Sequence, residues 1–302
     1  MSSFPRALLL YNPNAGSGKC RNNLTRVIER YAEEGILLEP IPSVGDISID
    51  ACLADLAREG QADRYRQLIV AGGDGTINLC VNAMVKNKIS LPLAIVPAGT
   101  ANDFAYGLGI PEDINKAIEI SLFGEPTPVD IGKANDRYFV NVSALGRVVD
   151  VSQKTDPALK ESIGVLAYYL QGLKEVQDLR PIRTRLRTDD RVYEEEMYFM
   201  LVMNGKSAGG FKQIAPGSEL NDGLLDIMLF RPVKVLELPQ LFLSILKGTH
   251  PQSEDVLHFQ TDHLIVETDE DLTTDIDGEK GDKPPVDFSL LHRRLKVLLA
   301  NK

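Results

Sequence analysis

Three glycine-bearing loops, each set directly after a short apolar run, constrain this chain more than any other feature. Asn12-Pro13-Asn14-Ala15-Gly16-Ser17-Gly18-Lys19 follows the run at 7–11. Gly72-Gly73-Asp74-Gly75-Thr76 follows the run at 67–71, and Pro97-Ala98-Gly99-Thr100-Ala101-Asn102-Asp103 follows the run at 93–96. A second apolar run lies at 36–41. Between the runs, apolar residues recur at helical spacing: Leu24, Val27, Ile28 and Tyr31, then Ile49, Leu53 and Leu56, then Ile77, Val81, Met84 and Val85. A further helix is predicted over 102–108. Strands alternating with helices imply a parallel sheet covered on both faces. Ligands of such sheets sit beyond the carboxyl ends of the strands, so loops after strands one, three and four share one mouth.

After about residue 125 the pattern changes. Runs at 129–132 and 138–142 read as adjoining strands. A helix is predicted over 159–176, with Ile163, Leu166, Leu170 and Leu173 on one face. Further strands are predicted at 182–188, 197–204, 224–230 and 263–268, and a helix at 235–247. The expected fold is therefore α/β with two domains: a Rossmann-like domain over 1–128, to which the tail 289–302 can return, and a β-sandwich domain over 129–288.

A chain of 302 residues with 43% hydrophobic content can bury such cores. Its formal net charge of -10 argues against a nucleic-acid binder, which needs a basic field. No stretch approaches the roughly 20 continuous apolar residues of a membrane span, and residues 1–6 do not form a signal peptide. Cys20, Cys52 and Cys80 lack the spacing of a disulfide or zinc framework, which fits a cytoplasmic protein. Buried thiols and surface histidines are their expected roles, the histidines being His250, His258, His263 and His292.

The chemistry of the loops can be read residue by residue. Gly72, Gly73 and Gly75 let the backbone bend and approach a ligand closely. The helix start that follows favours phosphate oxygens. Asp74 inside such a loop repels bare phosphate, so it implies Mg²⁺ near by. Thr100 can donate to a phosphate, and Asp103 can hold water, Mg²⁺ or a hydroxyl. A plain capping box from Thr100 to Asp103 is the structural alternative. The first loop is not a Walker A motif: its first glycine would fall at Pro13, and Cys20 stands where Ser or Thr is needed.

The set NPNAGSGK, GGDGT and PAGTANDFA, followed by the Asp of VDIG, resembles the diacylglycerol kinase catalytic-domain family. The later Asn221-Asp222-Gly223-Leu224-Leu225-Asp226 and Asp277-Gly278-Glu279 are similar to those of its bacterial YegS-type lipid kinases. The likeness runs from about residue 7 to about residue 298. It implies an active site in the cleft between the two domains, and ATP transfer to a lipid hydroxyl by a protein peripheral to the membrane. It implies ATP bound by Asn12, Gly16 and Gly18, by Gly72, Gly73, Asp74, Gly75, Thr76 and Asn78, and by Gly99, Thr100, Asn102 and Asp103. Ser43 is a candidate adenosine-side contact. It also implies a structural Mg²⁺ on Asp222 and the carbonyls of Glu219 and Leu224, with Asp130 a further metal candidate. Asp277 is the first choice for the catalytic base and Glu279 the second, with Asp74 also needed for turnover. Without the resemblance, Asp277 and Glu279 would read as an acidic surface turn.

Two other functions remain from the sequence. NAD kinases share a GGDGT-like loop, but their Asn-Glu dipeptide has no counterpart here. A nucleotide-binding regulator without catalysis is the other. Two surface readings complete the picture. Arg183, Arg185 and Arg187 alternate on one strand face, as a surface for anionic headgroups or as edge protection. The apolar 235–247 segment would wall a lipid-tail cleft or pack in the core.

Overall fold

The computed structural model describes residues 4–44, 47–146, 180–234 and 237–301. The chain forms two compact units: Met1–Val129 with Arg293–Lys302, and Asp130–His292.

The first unit is built on four parallel strands, β1 (Arg6–Tyr11), β2 (Leu37–Pro42), β3 (Tyr65–Gly72) and β4 (Leu93–Pro97), in the order β2-β1-β3-β4. Five helices accompany them: α1 (Lys19–Glu33), α2 (Ile49–Arg58), α3 (Asp74–Lys86), α4 (Asp103–Gly107) and α5 (Ile114–Phe123). β4 is buried along its length and β3 nearly so, as expected of strands covered on both faces. Ala7, Leu9, Ile69, Ala94 and Val96 from the strands pack with Val27 and Tyr31 of α1 and Ile118 of α5. The Tyr31 hydroxyl and the Ser121 carbonyl both accept from Gln67, each at 2.8 Å, so α1, β3 and α5 share one buried polar knot. Helix α5 is an addition to the elements predicted from the sequence. It starts at Asp113, whose carboxylate accepts the Asn115 and Lys116 N–H groups.

The second unit is two antiparallel sheets. One contains β8 (Ile182–Arg187), β9 (Val192–Met197), β13 (His263–Glu267) and the 286–289 part of β16 (Val286–Leu299), with β5 (Glu125–Ala134) pairing β6 (Arg137–Phe139). The other is formed by β7 (Val142–Gly146), β10 (Phe199–Met203), β11 (Leu225–Phe230), β12 (Val256–Thr261), β14 (Asp275–Ile276) and β15 (Glu279–Lys280), in the order β12-β11-β10-β7-β14-β15. Leu145, Met200, Val202, Ile227 and Leu229 of the second sheet pack with Ile182, Leu186, Leu264, Val266 and Phe288 of the first. On its other face the second sheet buries Phe199, Leu201, Met228 and Phe230 with Leu241 and Ile245 of helix α6 (Leu238–Lys247). Burial on both faces explains why β10 and β11 read as continuous apolar runs rather than alternating ones.

Several expectations change. The run at 138–142 is not one strand, because the N–H groups of Val140, Asn141 and Val142 turn to a side chain, described below. The sequence pattern does not mark β9, β12 and β16; β9 carries Glu194, Glu195 and Glu196, and β16 carries Arg293 and Arg294. Charged residues on the open face hide the period-two signal. The helix expected at 159–176 lies outside the described residues. The arginine face is paired: Arg183 stands opposite Glu196 and Arg185 opposite Glu194 in the β8–β9 register, with Arg183–Glu196 at 3.6 Å. It is a mixed-charge ladder. In α6, Leu241 and Ile245 are buried while Leu243 and Leu246 are half exposed. Among the described residues no helix is long and apolar enough to cross a membrane.

Candidate active site

The first unit brings the three glycine loops into contact. A Cβ on Gly16 would lie 2.0 Å from the Ala98 carbonyl oxygen, and a Cβ on Gly99 would lie 2.5 Å from the Gly73 Cα. Only glycine permits these approaches; Gly16 (φ 54°) and Gly18 (φ 86°) also use the left-handed region. Asn102 fixes the third loop: its Oδ1 accepts the Gly99 N–H at 2.8 Å and its Nδ2 donates to the Gly99 carbonyl at 3.0 Å. Asn12 folds the first loop by accepting the Asn14 N–H at 2.9 Å. Ser43, at the carboxyl end of β2, donates its N–H to the Tyr11 carbonyl beside that loop. Asn78 is buried one turn into α3, and its side-chain oxygen accepts from Asn82. Thr76 packs on Gly72, and Thr100 is exposed.

The helix starts divide into two kinds. α2 and α5 are capped by the side chains of Ser48 and Asp113. α1, α3 and α4, which open from the glycine loops, begin at Gly18, Gly73 and Asn102, none of which caps its helix with its own side chain. The first N–H groups of a helix need acceptors from outside it, and with the helix dipole they favour anions. The alternative of a capping box from Thr100 to Asp103 does not form, because Asn102 rather than Thr100 holds the cap position and Asp103 opens the helix. Asp74 accepts the Phe104 N–H at 3.1 Å, so its carboxylate ties the second loop to the start of α4.

The second unit holds the other candidates. Asp130 is fully buried and organises the Asn221-Asp222-Gly223 turn. Its Oδ2 accepts the Gly223 N–H at 2.8 Å, its backbone N–H reaches the Leu220 carbonyl at 2.8 Å, and its carbonyl accepts from Asn204 at 3.0 Å. Its Oδ1 lies 3.0 Å from His292 Nδ1. Asp222 accepts the Leu224 N–H at 3.0 Å. Desolvation raises the Asp222 carboxyl above its ordinary range, and the charges of Asp226, Asp130 and Glu219 push the same way against the Leu224 bond. A divalent cation would relieve that crowding, and the Asp222 carboxylate with the Glu219 and Leu224 carbonyls, expected from the sequence, would be the residues to hold it. Asp130 holds the same turn through the Gly223 N–H.

Asp277 sits at φ 49° in the tight turn between β14 and β15. Its carboxylate accepts the N–H groups of Val140, Asn141 and Val142 at 2.7, 3.1 and 2.9 Å. Both of its carboxylate oxygens are thus occupied by backbone N–H groups. Glu279 is half exposed and meets Arg137 at 3.2 Å. Three partners carry no signal in the sequence: Arg137, His292, and His258, which meets the buried Asp226 at 2.8 Å. These two histidines are thus not plain surface residues, and His250 is fully buried, its ring against Phe230. No local pattern marks these pairs, since each joins distant parts of the chain.

Comparison with known proteins agrees with this construction. Residues 6–134 match the diacylglycerol kinase catalytic domain, and residues 142–299 match the YegS C-terminal NAD kinase beta sandwich-like domain. The diacylglycerol kinase of Bacillus subtilis (strain 168) is 33% identical over 295 residues, covering 97% of this chain and 96% of that protein. That of Staphylococcus carnosus (strain TM300) is 30% identical over 294 residues, covering 97% and 94%. A crystal structure of a diacylglycerol kinase from Bacillus anthracis str. Sterne superimposes with a TM-score of 0.78 at 26% identity, covering 99% of this chain and 98% of that one. With a GGDGT loop stapled to its neighbours in one unit and a two-sheet second unit, the chain belongs to the diacylglycerol kinase family.

Proposed function

We propose that the chain is an ATP-dependent kinase that transfers the γ-phosphate to a hydroxyl of diacylglycerol or a related lipid, which it meets at a membrane surface. The observation that carries this reading is the meeting of three glycine loops at the carboxyl ends of β1, β3 and β4, where α1 and α3 start from glycine with no side-chain cap. Such an array of N–H groups suits the phosphates of a nucleotide. The names of the relatives support a lipid as acceptor.

In the transfer, the acceptor oxygen attacks the γ-phosphorus, the bond to the β-phosphate oxygen breaks, and ADP departs. Mg²⁺ supplies positive charge against the phosphates when bound. The chain's own residues position the reactants: Gly72 to Asn78 and Gly99 to Asp103 hold the nucleotide, and Asp74 keeps two loops in register. The hydroxyl proton needs an acceptor. Glu279 suits that role better than Asp277, because the Asp277 lone pairs are already engaged by backbone amides while Glu279 is open to solvent on one side.

The test is transfer of label from γ-labelled ATP. Separate reactions contain diacylglycerol in mixed micelles, a total lipid extract, and NAD. Label in the diacylglycerol or extract lipid is expected. Label in NAD alone would replace this reading with an NAD kinase-like one. Nucleotide binding without transfer to any acceptor would leave a non-catalytic regulator.

A further inference from the structure

The β14–β15 hairpin has only two residue pairs, Asp275 with Lys280 and Ile276 with Glu279. A ribbon that short cannot hold itself in water. Segment 135–142 grips it from outside, in antiparallel order. Asn135 Nδ2 donates to Asp282 at 2.9 Å. Arg137 donates through Nη1 to the Lys280 carbonyl and through Nη2 to the Glu279 carboxylate at 3.2 Å. Val140, Asn141 and Val142 donate to Asp277. The outer two grips hold the carboxylates of Asp282 and Asp277; the middle one takes the Lys280 backbone carbonyl and the Glu279 side chain together.

That middle grip has a particular form. The planar guanidinium bonds the carboxylate of residue 279 and the carbonyl of residue 280 at once, which ties a side chain with three rotatable bonds to the backbone beside it. Long side chains of this type lose most of their rotamer freedom when fixed. An ion pair with Arg137 36% and Glu279 54% exposed adds little to global stability. Its consequence is local: it selects one direction for the Glu279 carboxylate.

We propose that Arg137 is a positioning residue for phosphoryl transfer, holding the Glu279 carboxylate in the direction from which it accepts the hydroxyl proton. This rests on the reading of Glu279 as the base. Arg137 lies on β6, more than a hundred residues away in sequence, and is absent from every motif that marks the site.

Lipid-kinase kinetics on five proteins test this: wild type, Arg137→Ala, Arg137→Lys, Glu279→Gln and the Arg137→Ala, Glu279→Gln double variant. Glu279→Gln should lose about 10²–10⁴-fold in kcat. Arg137→Ala should lose about 10- to 100-fold in kcat, with KM for ATP and the thermal midpoint near wild type. Arg137→Lys should recover part of the loss, since an ammonium can satisfy one partner at a time. Millimolar guanidinium should raise the Arg137→Ala rate and leave Glu279→Gln unchanged. The double variant should be no slower than Glu279→Gln alone, because the arginine acts through the glutamate. Should Arg137→Ala fold poorly, Arg137→Gln carries the same comparison with the stem retained. A wild-type-like kcat in Arg137→Ala beside an inactive Glu279→Gln would end the positioning role and keep the base. Fully additive losses in the double variant would also end it. A wild-type-like Glu279→Gln enzyme would remove the base and the positioning role together.

Discussion

The Asp74 carboxylate accepts the backbone N–H of Phe104 at 3.1 Å, joining the loop after β3 to the helix after β4. An aspartate that the sequence marks only as a charge near phosphate is also a strut between two glycine loops. The two roles separate by substitution. Asp74→Asn keeps an oxygen acceptor for Phe104 and loses the charge; Asp74→Ala loses both. Turnover should fall in both, by at least about 10²-fold if charge placement dominates. Only Asp74→Ala should also lower stability, by about 1–3 kcal/mol in urea unfolding. Normal turnover in Asp74→Asn would leave the strut as the residue's sole role.

Two glycines of neighbouring loops should respond oppositely. Gly99→Ala places a methyl 2.5 Å from the Gly73 Cα, in backbone that cannot move aside cheaply. It should cost about 1–3 kcal/mol and weaken nucleotide binding. A Cβ on Gly75 meets nothing within 4 Å and enters the first turn of α3. Gly75→Ala should therefore be neutral or stabilising by up to about 1 kcal/mol. Any loss of ATP affinity in Gly75→Ala then reports ligand approach rather than folding, as calorimetric titration would show.

The Asn221–Gly223 turn should bind a divalent cation by relief of repulsion. Added MgCl₂ should raise the thermal midpoint of the wild-type protein, by linkage to the folded state. Asp222→Asn should lack that rise and, without the cation, be at least as stable as wild type, since it removes one of the crowded charges. A full MgCl₂ response in Asp222→Asn would place the cation elsewhere.

His263 bridges Asp189 at 2.8 Å and Asp287 at 3.1 Å. The Asp189 hydrogen bond chiefly, then the charges of both aspartates, raise its pKa above 6.5, and partial burial opposes this. A raised base stabilises the fold fully below its unfolded pKa, near 6.5, and that contribution fades as pH climbs through the folded value. The stability difference between wild type and His263→Gln should be largest near pH 6 and shrink toward pH 8.5. His263 is about one third exposed, so the difference will be modest. Burial lowers the pKa of His250, which works in the opposite direction, and comparison with the variant cancels it. A pH-independent difference would show that the imidazolium bridge adds nothing.

The arginine ladder of β8 should not dock anionic membranes, because Glu194 and Glu196 lie across from Arg185 and Arg183. Replacing Arg183, Arg185 and Arg187 with alanine should leave sedimentation with phosphatidylglycerol vesicles unchanged and cost no more than about 1 kcal/mol per pair. Lost vesicle binding would restore the headgroup surface.

The sequence by itself determined the four parallel strands of the first unit, the helices between them and the glycine loops. Hydrophobic period, glycine and the strand-loop-helix order are local properties, written within a dozen residues, and they alone place Gly16, Gly73 and Gly99 at the ends of β1, β3 and β4. Local patterns fall silent where the determinant is distant or masked. β9 and β16 carry charges on their open faces that hide the period of two, and α5 offers only the short stripe Ile114, Ile118 and Leu122. The balance between Asp277 and Glu279 is not legible in their spacing. Only the tertiary structure shows how differently the two are bonded, because the groups that engage them, the amide of Val140 and the guanidinium of Arg137, lie 137 and 142 residues away in the chain. A carboxylate's chemistry is set by the donors that surround it in space, and those donors arrive when the strands pair.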